Sequence, residues 1–133
     1  MELVIDANIV VSALISDEGK ARELIFLPNF SLFAPEYLLE EIEKYKGLII
    51  KKSGLDEKSF EAAKSLIFSR IKFISVSEFK SFIKKASEIC PDSNDEEYFA
   101  LALKLNCLLW SNDKKLKQGS LKVLTTSEVL GLF

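Results

Sequence analysis

Leu3-Val4-Ile5-Asp6 is a short apolar run stopped by an acid, and the same pattern recurs down the chain. Ser31-Leu32-Phe33-Ala34 is stopped by Pro35, and further runs follow at Phe73-Ile74-Ser75-Val76, Cys107-Leu108-Leu109-Trp110 and Val123-Leu124. Runs this short and this apolar read as strands buried on both faces. Between them lie helical patterns: Ala21 to Phe26, Glu36 to Lys51, Glu57 to Arg70, Glu78 to Ser87, Glu96 to Leu105 and Ser127 to Leu132. Strands alternating with such helices predict an α/β fold, a parallel sheet with helices on both faces. Right-handed strand-helix-strand units bring each strand's C-terminal end to one edge of the sheet, which is where such folds bind ligands.

The chain has 133 residues, 48% hydrophobic and 29% charged, which suits one domain over residues 1–133 with a core of its own. No internal repeat, low-complexity tract or Gly/Ser linker divides it. No apolar run approaches the roughly 20 residues of a membrane span, and Met1-Glu2 leads into the first run without the basic start of a signal peptide. The expectation is a cytoplasmic protein with no membrane partner. Histidine is absent, which removes Ser-His-Asp and Cys-His catalysis and every imidazole-bound zinc site. Cys90 and Cys107 are too few for a four-cysteine metal site and too far apart for a redox pair; both are expected to be reduced and partly buried. The net charge of -2 argues against nucleic-acid binding by an overall positive field. The 14 Glu and 16 Lys against one Gln are a bias of the kind reported for hyperthermophile proteins.

Among only six Asp residues, Asp6 directly follows the first strand and Asp113 lies three residues after Trp110. Both belong at the ligand-binding edge. Asp95 opens the helix that leads into the Trp110 strand, and parallel winding should carry it to the same edge, in line with Phe99 and Ala102 on the face that packs against the sheet. On the helix from Glu36 the apolar stripe is Leu38, Ile42, Tyr45 and Ile49. Glu41 lies roughly 70° from its centre, whereas Glu36, Glu40 and Glu43 point away. Carboxylates gathered in one crevice repel one another, and a divalent cation resolves the repulsion. With oxygen ligands alone the ion would be Mg²⁺ or Mn²⁺, and the chemistry phosphate-ester hydrolysis by a nuclease or phosphatase.

These residues carry a family resemblance. The stretch Asp6-Ala7-Asn8-Ile9-Val10-Val11-Ser12-Ala13-Leu14, then Glu41-Ile42, Asp95 with Phe99-Ala100-Leu101-Ala102, and Trp110-Ser111-Asn112-Asp113 resembles the PIN domain family over essentially the whole chain. The 18 positions from Asp95 to Asp113 fit its pattern. The resemblance implies a three-layer α/β/α sandwich with a central parallel sheet, and a Mg²⁺- or Mn²⁺-dependent ribonuclease whose catalytic and metal-binding acids are Asp6, Glu41, Asp95 and Asp113. Asn8 and Ser111 or Asn112 would take its supporting polar roles. Many small prokaryotic members look like VapC-type toxins, which implies a homodimer and an antitoxin partner. Ala7 stands where many members have Ser or Thr, and Asp92, Glu96 and Glu97 compete with Asp95 for the third position.

Singly, each acid has an ordinary explanation. Asp6 could cap a helix, Glu41 could be solvated, Asn112-Asp113 could form a turn, and Asp95 could complement a helix dipole. Ser93 and Glu96 fit a capping box. It is their expected convergence on one edge that favours a site. Lys114, Lys115 and Lys117 lie beside that edge and could hold RNA phosphates. Trp110 reads as core, and Phe60, Ala63, Ile67 and Ile71 as core or interface. Phe79, Phe82 and Ile83 read as an exposed dimer face. The rival functions are a catalytically idle PIN-like module that binds RNA or protein in a processing complex, and a flavodoxin-like phosphoacceptor domain. The second wants an acidic neighbour to Asp6, and a haloacid-dehalogenase-type phosphatase wants Asp where Asn8 stands. No Gly-rich phosphate loop is present.

Overall fold

The computed structural model describes residues 1–16, 19–118 and 121–132. In chain order the elements are β1 (Glu2–Ile5), α1 (Ala7–Ile15), α2 (Lys20–Ile25), β2 (Ser31–Pro35), α3 (Tyr37–Ser53), α4 (Glu57–Phe68), β3 (Ile71–Ile74), α5 (Val76–Phe79), α6 (Ile83–Ile89), α7 (Glu96–Leu105), β4 (Leu108–Trp110), β5 (Val123–Leu124) and α8 (Thr126–Leu130). The five strands form one parallel sheet in the order β3-β2-β1-β4-β5. The chain winds outward from β1 to β3, then crosses back to β4. Right-handed crossovers therefore put α1 to α4 on one face and α5 to α7 on the other. The result is the expected three-layer α/β/α sandwich. Its core is a contiguous cluster through the sheet: Leu3, Val4, Ile5, Leu32 and Leu109 from the strands, Ile9, Val10, Leu38 and Ile42 on one side, Phe99 and Leu101 on the other.

Local chemistry sets the element ends. Gly54 closes α3 in the left-handed conformation at φ 75°, where a side chain would be strained. Asp56 caps α4 by accepting from the Ser59 amide at 2.7 Å, and Thr125 with Glu128 forms a capping box on α8. The two arginines are structural. Arg22 donates to the Ala13 carbonyl near the end of α1, and Arg70 donates to the carbonyl of Ile25 at the end of α2 and to those of Leu27 and Phe30 just beyond it.

Several sequence expectations are corrected. The run at Ile9-Val10-Val11 belongs to a helix that the periodicity did not single out, α1, with Ala7, Ile9, Val10, Ala13 and Leu14 buried; tertiary burial overrides the weak helix preference of β-branched residues. The third strand is Ile71–Ile74, not 73–76, because β2 offers partners from Leu32 to Pro35 and Ser75 already caps α5. The helix expected from Glu78 to Ser87 is two helices joined by a 3-10 turn at Lys80–Phe82. Phe79 is fully buried, and Phe82 and Ile83 are half-buried against the core, so this trio is not an exposed dimer face. Tyr45 leaves the apolar stripe of α3 and is exposed, whereas Leu38, Ile42 and Ile49 are buried. The Ser93-Glu96 capping box does not form: α7 begins at Glu96 with Asp95 as its N-cap, after a 3-10 turn at Ser93–Asp95 in which Asp92 accepts from the Asn94 amide. Trp110 is core, its indole N–H donating to Thr126 Oγ1 at 3.1 Å. Phe60, Ile67 and Ile71 are core as well. Both cysteines are free and half-buried. Among the described residues no helix is long and apolar enough to cross a membrane.

Candidate active site

The strand order reverses at β1, and the register there decides the site. Ile5 pairs with Trp110, so the next residues, Asp6 and Ser111, emerge side by side at the C-terminal edge between β1 and β4. The backbone pins both: the Asp6 amide donates to the Trp110 carbonyl at 3.0 Å, and the Ser111 amide donates to the Leu124 carbonyl of β5 at 2.9 Å. A topological switch point is where open α/β sheets form ligand crevices. Here it forms an open depression of about 340 Å³ lined by Asp6, Asn8, Glu41, Asp92, Asp95 and Asp113, with Val11, Tyr45 and Leu48 along the α1–α3 side. A larger depression at the opposite ends of the strands, beside Met1, Lys85 and Lys122, has one carboxylate in its lining, Glu2.

Asp6 is 6% exposed, and although it occupies the N-cap position of α1 its side chain makes no capping hydrogen bond. Its Oδ2 accepts instead from the Ser111 hydroxyl at 2.6 Å. Ser111 is fully buried and its oxygen is shared: it also accepts from Asn8 Nδ2 at 3.3 Å and from the Asp113 amide at 3.1 Å. One hydroxyl thus ties the β1–α1 junction to the stretch that follows β4. Asp113 accepts from the Lys115 amide at 3.0 Å, the turn anticipated as its ordinary role, while also facing the depression. Glu41, half-buried on α3, accepts from the hydroxyl of Tyr98 at 2.5 Å.

The electrostatics are those of a crowded carboxylate cluster. Burial pushes Asp6 up, opposed by the hydrogen bond from Ser111, and the charge of Asp113 adds to the rise. Burial raises Glu41 too, against the Tyr98 hydrogen bond, with Asp6 adding. Asp95 is pushed up to about 7, first by desolvation and then by the charges of Asp6, Asp92, Asp113 and Glu41. Burial and mutual repulsion both disfavour charge in a site built of charged groups, and only the two hydrogen bonds oppose them.

The depression thus gathers Asp6, Glu41, Asp95 and Asp113. Of the competitors for the third position Asp92 joins them, whereas Glu96 and Glu97 line a neighbouring groove with Tyr37 and Val76. Asn8 reaches the site and Asn112 does not: the Asn112 side chain turns away to accept from the Thr126 amide at 2.8 Å, bracing α8. Lys114 and Lys115 are exposed, while Lys117 is engaged by Glu128. Sequence reasoning missed Tyr98, although it lies one helical turn after Asp95 and so shares its face. The donor set is oxygen only, which suits a hard divalent cation. Asn8 Oδ1 is buried with no hydrogen-bond partner. Among the described residues no three carboxylates converge closely enough to cage an ion unaided.

The chain matches the family model described as PIN domain over residues 4–132. No curated protein matches it. Among solved structures it is similar to VapBC2 from Rickettsia felis, bound to a DNA fragment from their promoter, with 18% identity and a TM-score of 0.67 over 94% of this chain and 98% of that one. It is similar to VapBC-1 from nontypeable Haemophilus influenzae, with 19% identity and a TM-score of 0.68 over 96% and 99%. PAE2754 from Pyrobaculum aerophilum gives 14% identity and a TM-score of 0.66 over 99% and 88%.

Proposed function

The chain belongs to the PIN domain family, and from that premise we propose that it is a Mg²⁺- or Mn²⁺-dependent endoribonuclease, the toxin of a toxin–antitoxin pair. The observation that carries this reading is the meeting of Asp6, Glu41, Asp95 and Asp113, from four separate segments, in one depression at the switch point of the sheet. An isolated cap or a solvated acid does not require such a meeting, and a bound divalent cation would relieve the repulsion among the carboxylates that the fold holds in one depression.

Asp6, Glu41, Asp95 and Asp113 would hold the ion. When bound, it supplies charge neutralisation at the phosphate and a coordinated water of lowered pKa. The chain's own residues do the rest. Ser111 fixes the carboxylate of Asp6 and Tyr98 fixes that of Glu41, so neither carboxylate is free to choose its rotamer. Lys114 and Lys115, exposed beside Asp113, would contact phosphates of the bound strand. Lys117 is a weaker candidate, because Glu128 already holds it. The similar structures from R. felis and H. influenzae are VapBC proteins, which supports an antitoxin as partner. A homodimer formed through apolar helix faces away from the acidic edge, a cytoplasmic location and a single nuclease domain over residues 1–133 complete the proposal.

The test is cleavage of single-stranded and structured RNA by the purified protein with Mg²⁺ or Mn²⁺, and again with EDTA. Cleavage that requires the ion supports the proposal. Binding of RNA without cleavage under any metal condition would leave an idle binding module in its place.

A further inference from the structure

The acidic depression is not acidic throughout. Glu41, Tyr45 and Leu48 follow one another on α3 at helical spacing, so they share a face of the helix, and all three line the depression. Tyr45 is 38% exposed and Leu48 46% exposed, and Val11 of α1 lines the same depression. Apolar surface gathered in a polar crevice marks a face that meets a ligand. Lys44 stands beside it. Its Nζ is 5.8 Å from the centre of the Tyr45 ring, and its charge reaches Glu41, where it favours the carboxylate. An open aromatic ring next to a cation is the combination by which proteins hold single strands, the ring stacking on an unpaired base and the cation taking a phosphate. Charge selects between occupants. A protein segment drawn to the carboxylates would be cationic and Lys44 would repel it, whereas a nucleic-acid strand is anionic and Lys44 attracts it. A duplex suits the ring poorly, because its bases are already stacked on one another.

We propose that Tyr45 stacks on an unpaired base of the RNA strand whose phosphate lies at the acids, with Leu48 and Val11 extending the apolar seat and Lys44 contacting a neighbouring phosphate. This deepens the proposed nuclease reading, on which it rests for the placing of that phosphate. It narrows the substrate class to RNA that is unpaired at the cut. Every base has a π face, so the contact selects an unpaired nucleotide without choosing its sequence.

The test pairs changes in the protein with changes in the strand. Binding and cleavage of a single-stranded RNA oligonucleotide are measured with Mg²⁺ or Mn²⁺ for the parent, Tyr45→Ala, Tyr45→Leu and Tyr45→Phe proteins. The strand is used intact and with one abasic nucleotide moved along it. Tyr45→Ala and Tyr45→Leu should weaken binding about tenfold, the scale of one stacked base, and raise KM more than they lower kcat. Tyr45→Phe, which keeps the ring, should match the parent. In the parent an abasic nucleotide should cost about tenfold at one position. In Tyr45→Ala that position should cost nothing further, the non-additivity expected of two groups in contact. Lys44→Gln should lower the slope of log K against log salt by about 0.7, one phosphate on a single strand. Four outcomes overturn the proposal: Tyr45→Ala binding as tightly as the parent, Tyr45→Phe as weak as Tyr45→Ala, abasic and Tyr45→Ala losses that simply add, or a fully paired duplex cut as fast as the single strand. The first of these would leave a protein segment as the occupant of the apolar seat. A parent that cleaves RNA with any of these results keeps the nuclease reading and loses only the stacking claim. A parent that neither binds nor cleaves the strand overturns both.

Discussion

In metal-free buffer the acidic pocket should make the protein less stable as pH rises from about 4 to about 7. Asp95 carries the clearest shift, from 3.8 to about 7. A carboxyl whose folded pKa is raised binds its proton more tightly in the folded than in the unfolded chain, so stability is greatest below the unfolded value and falls until the folded value is passed. Three pKa units correspond to a ceiling of about 4 kcal/mol at about 1.36 kcal/mol each. Asp95 is only half-buried, so solvent screening reduces that to about 1 to 2 kcal/mol. Asp6 and Glu41 shift in the same direction. The exposed carboxylates of Glu61 and Glu128, both lowered by lysine partners, lose stability only as pH falls below about 4.5 and act outside this window. Thermal melts with EDTA should therefore place the maximum near pH 5 and fall by roughly 5 to 10 °C at pH 7.5. Millimolar Mn²⁺ should flatten the decline, because a cation binds the deprotonated cluster of the folded state. Stability that is level or rising between pH 5 and 7.5 in EDTA would refute the reading of these acids as a mutually repelling cluster.

Other predictions follow from single contacts. Tyr98→Phe removes the donor to Glu41 and should cost about 1.5 to 3 kcal/mol in urea unfolding at pH 7.5, with a smaller loss at pH 4.5 where Glu41 is protonated; equal losses at both pH values would mean the hydroxyl does not serve a charged Glu41. Arg70→Met leaves the carbonyls of Ile25, Leu27 and Phe30 without their guanidinium, and should lower stability by about 2 to 3 kcal/mol without altering metal binding. Light scattering at micromolar concentration should give a mass of twice the 15.0 kDa chain; a monomer mass throughout would remove the homodimer from the proposal.

The sequence was most legible where one interaction dominates. Apolar runs such as Leu3-Val4-Ile5, stopped by an acid or Pro and alternating with helical patterns, read as interior strands of a covered sheet, and parallel winding then sets which edge receives Asp6, Asp95 and Asp113. Legibility failed where tertiary context outweighs local pattern. The stretch Ile9-Val10-Val11 has the composition of a strand and becomes helix because burial against the sheet and α3 repays its poor propensity. Tyr45 shares the period of Leu38 and Ile42, yet it faces the open pocket instead of the core. Side-chain direction was the other blind spot. Asn112 is adjacent to Ser111, but the tether to Thr126 turns it from the site, while the partnership of Tyr98 with Glu41 joins residues 57 positions apart.

The central claim, that Asp6 serves an ion and not the fold, is tested most directly by Asp6→Asn. Asn is nearly isosteric and can still accept the Ser111 hydrogen bond, so a structural Asp6 would lose little. Loss of a metal anchor should lower Mg²⁺- or Mn²⁺-dependent RNA cleavage by about a hundredfold or more, about 3 kcal/mol in barrier. At the same time the metal-free protein should melt at or above the parent's temperature, because a buried carboxyl raised by desolvation and by its neighbours has become neutral. Cleavage at the parental rate by Asp6→Asn would contradict the account.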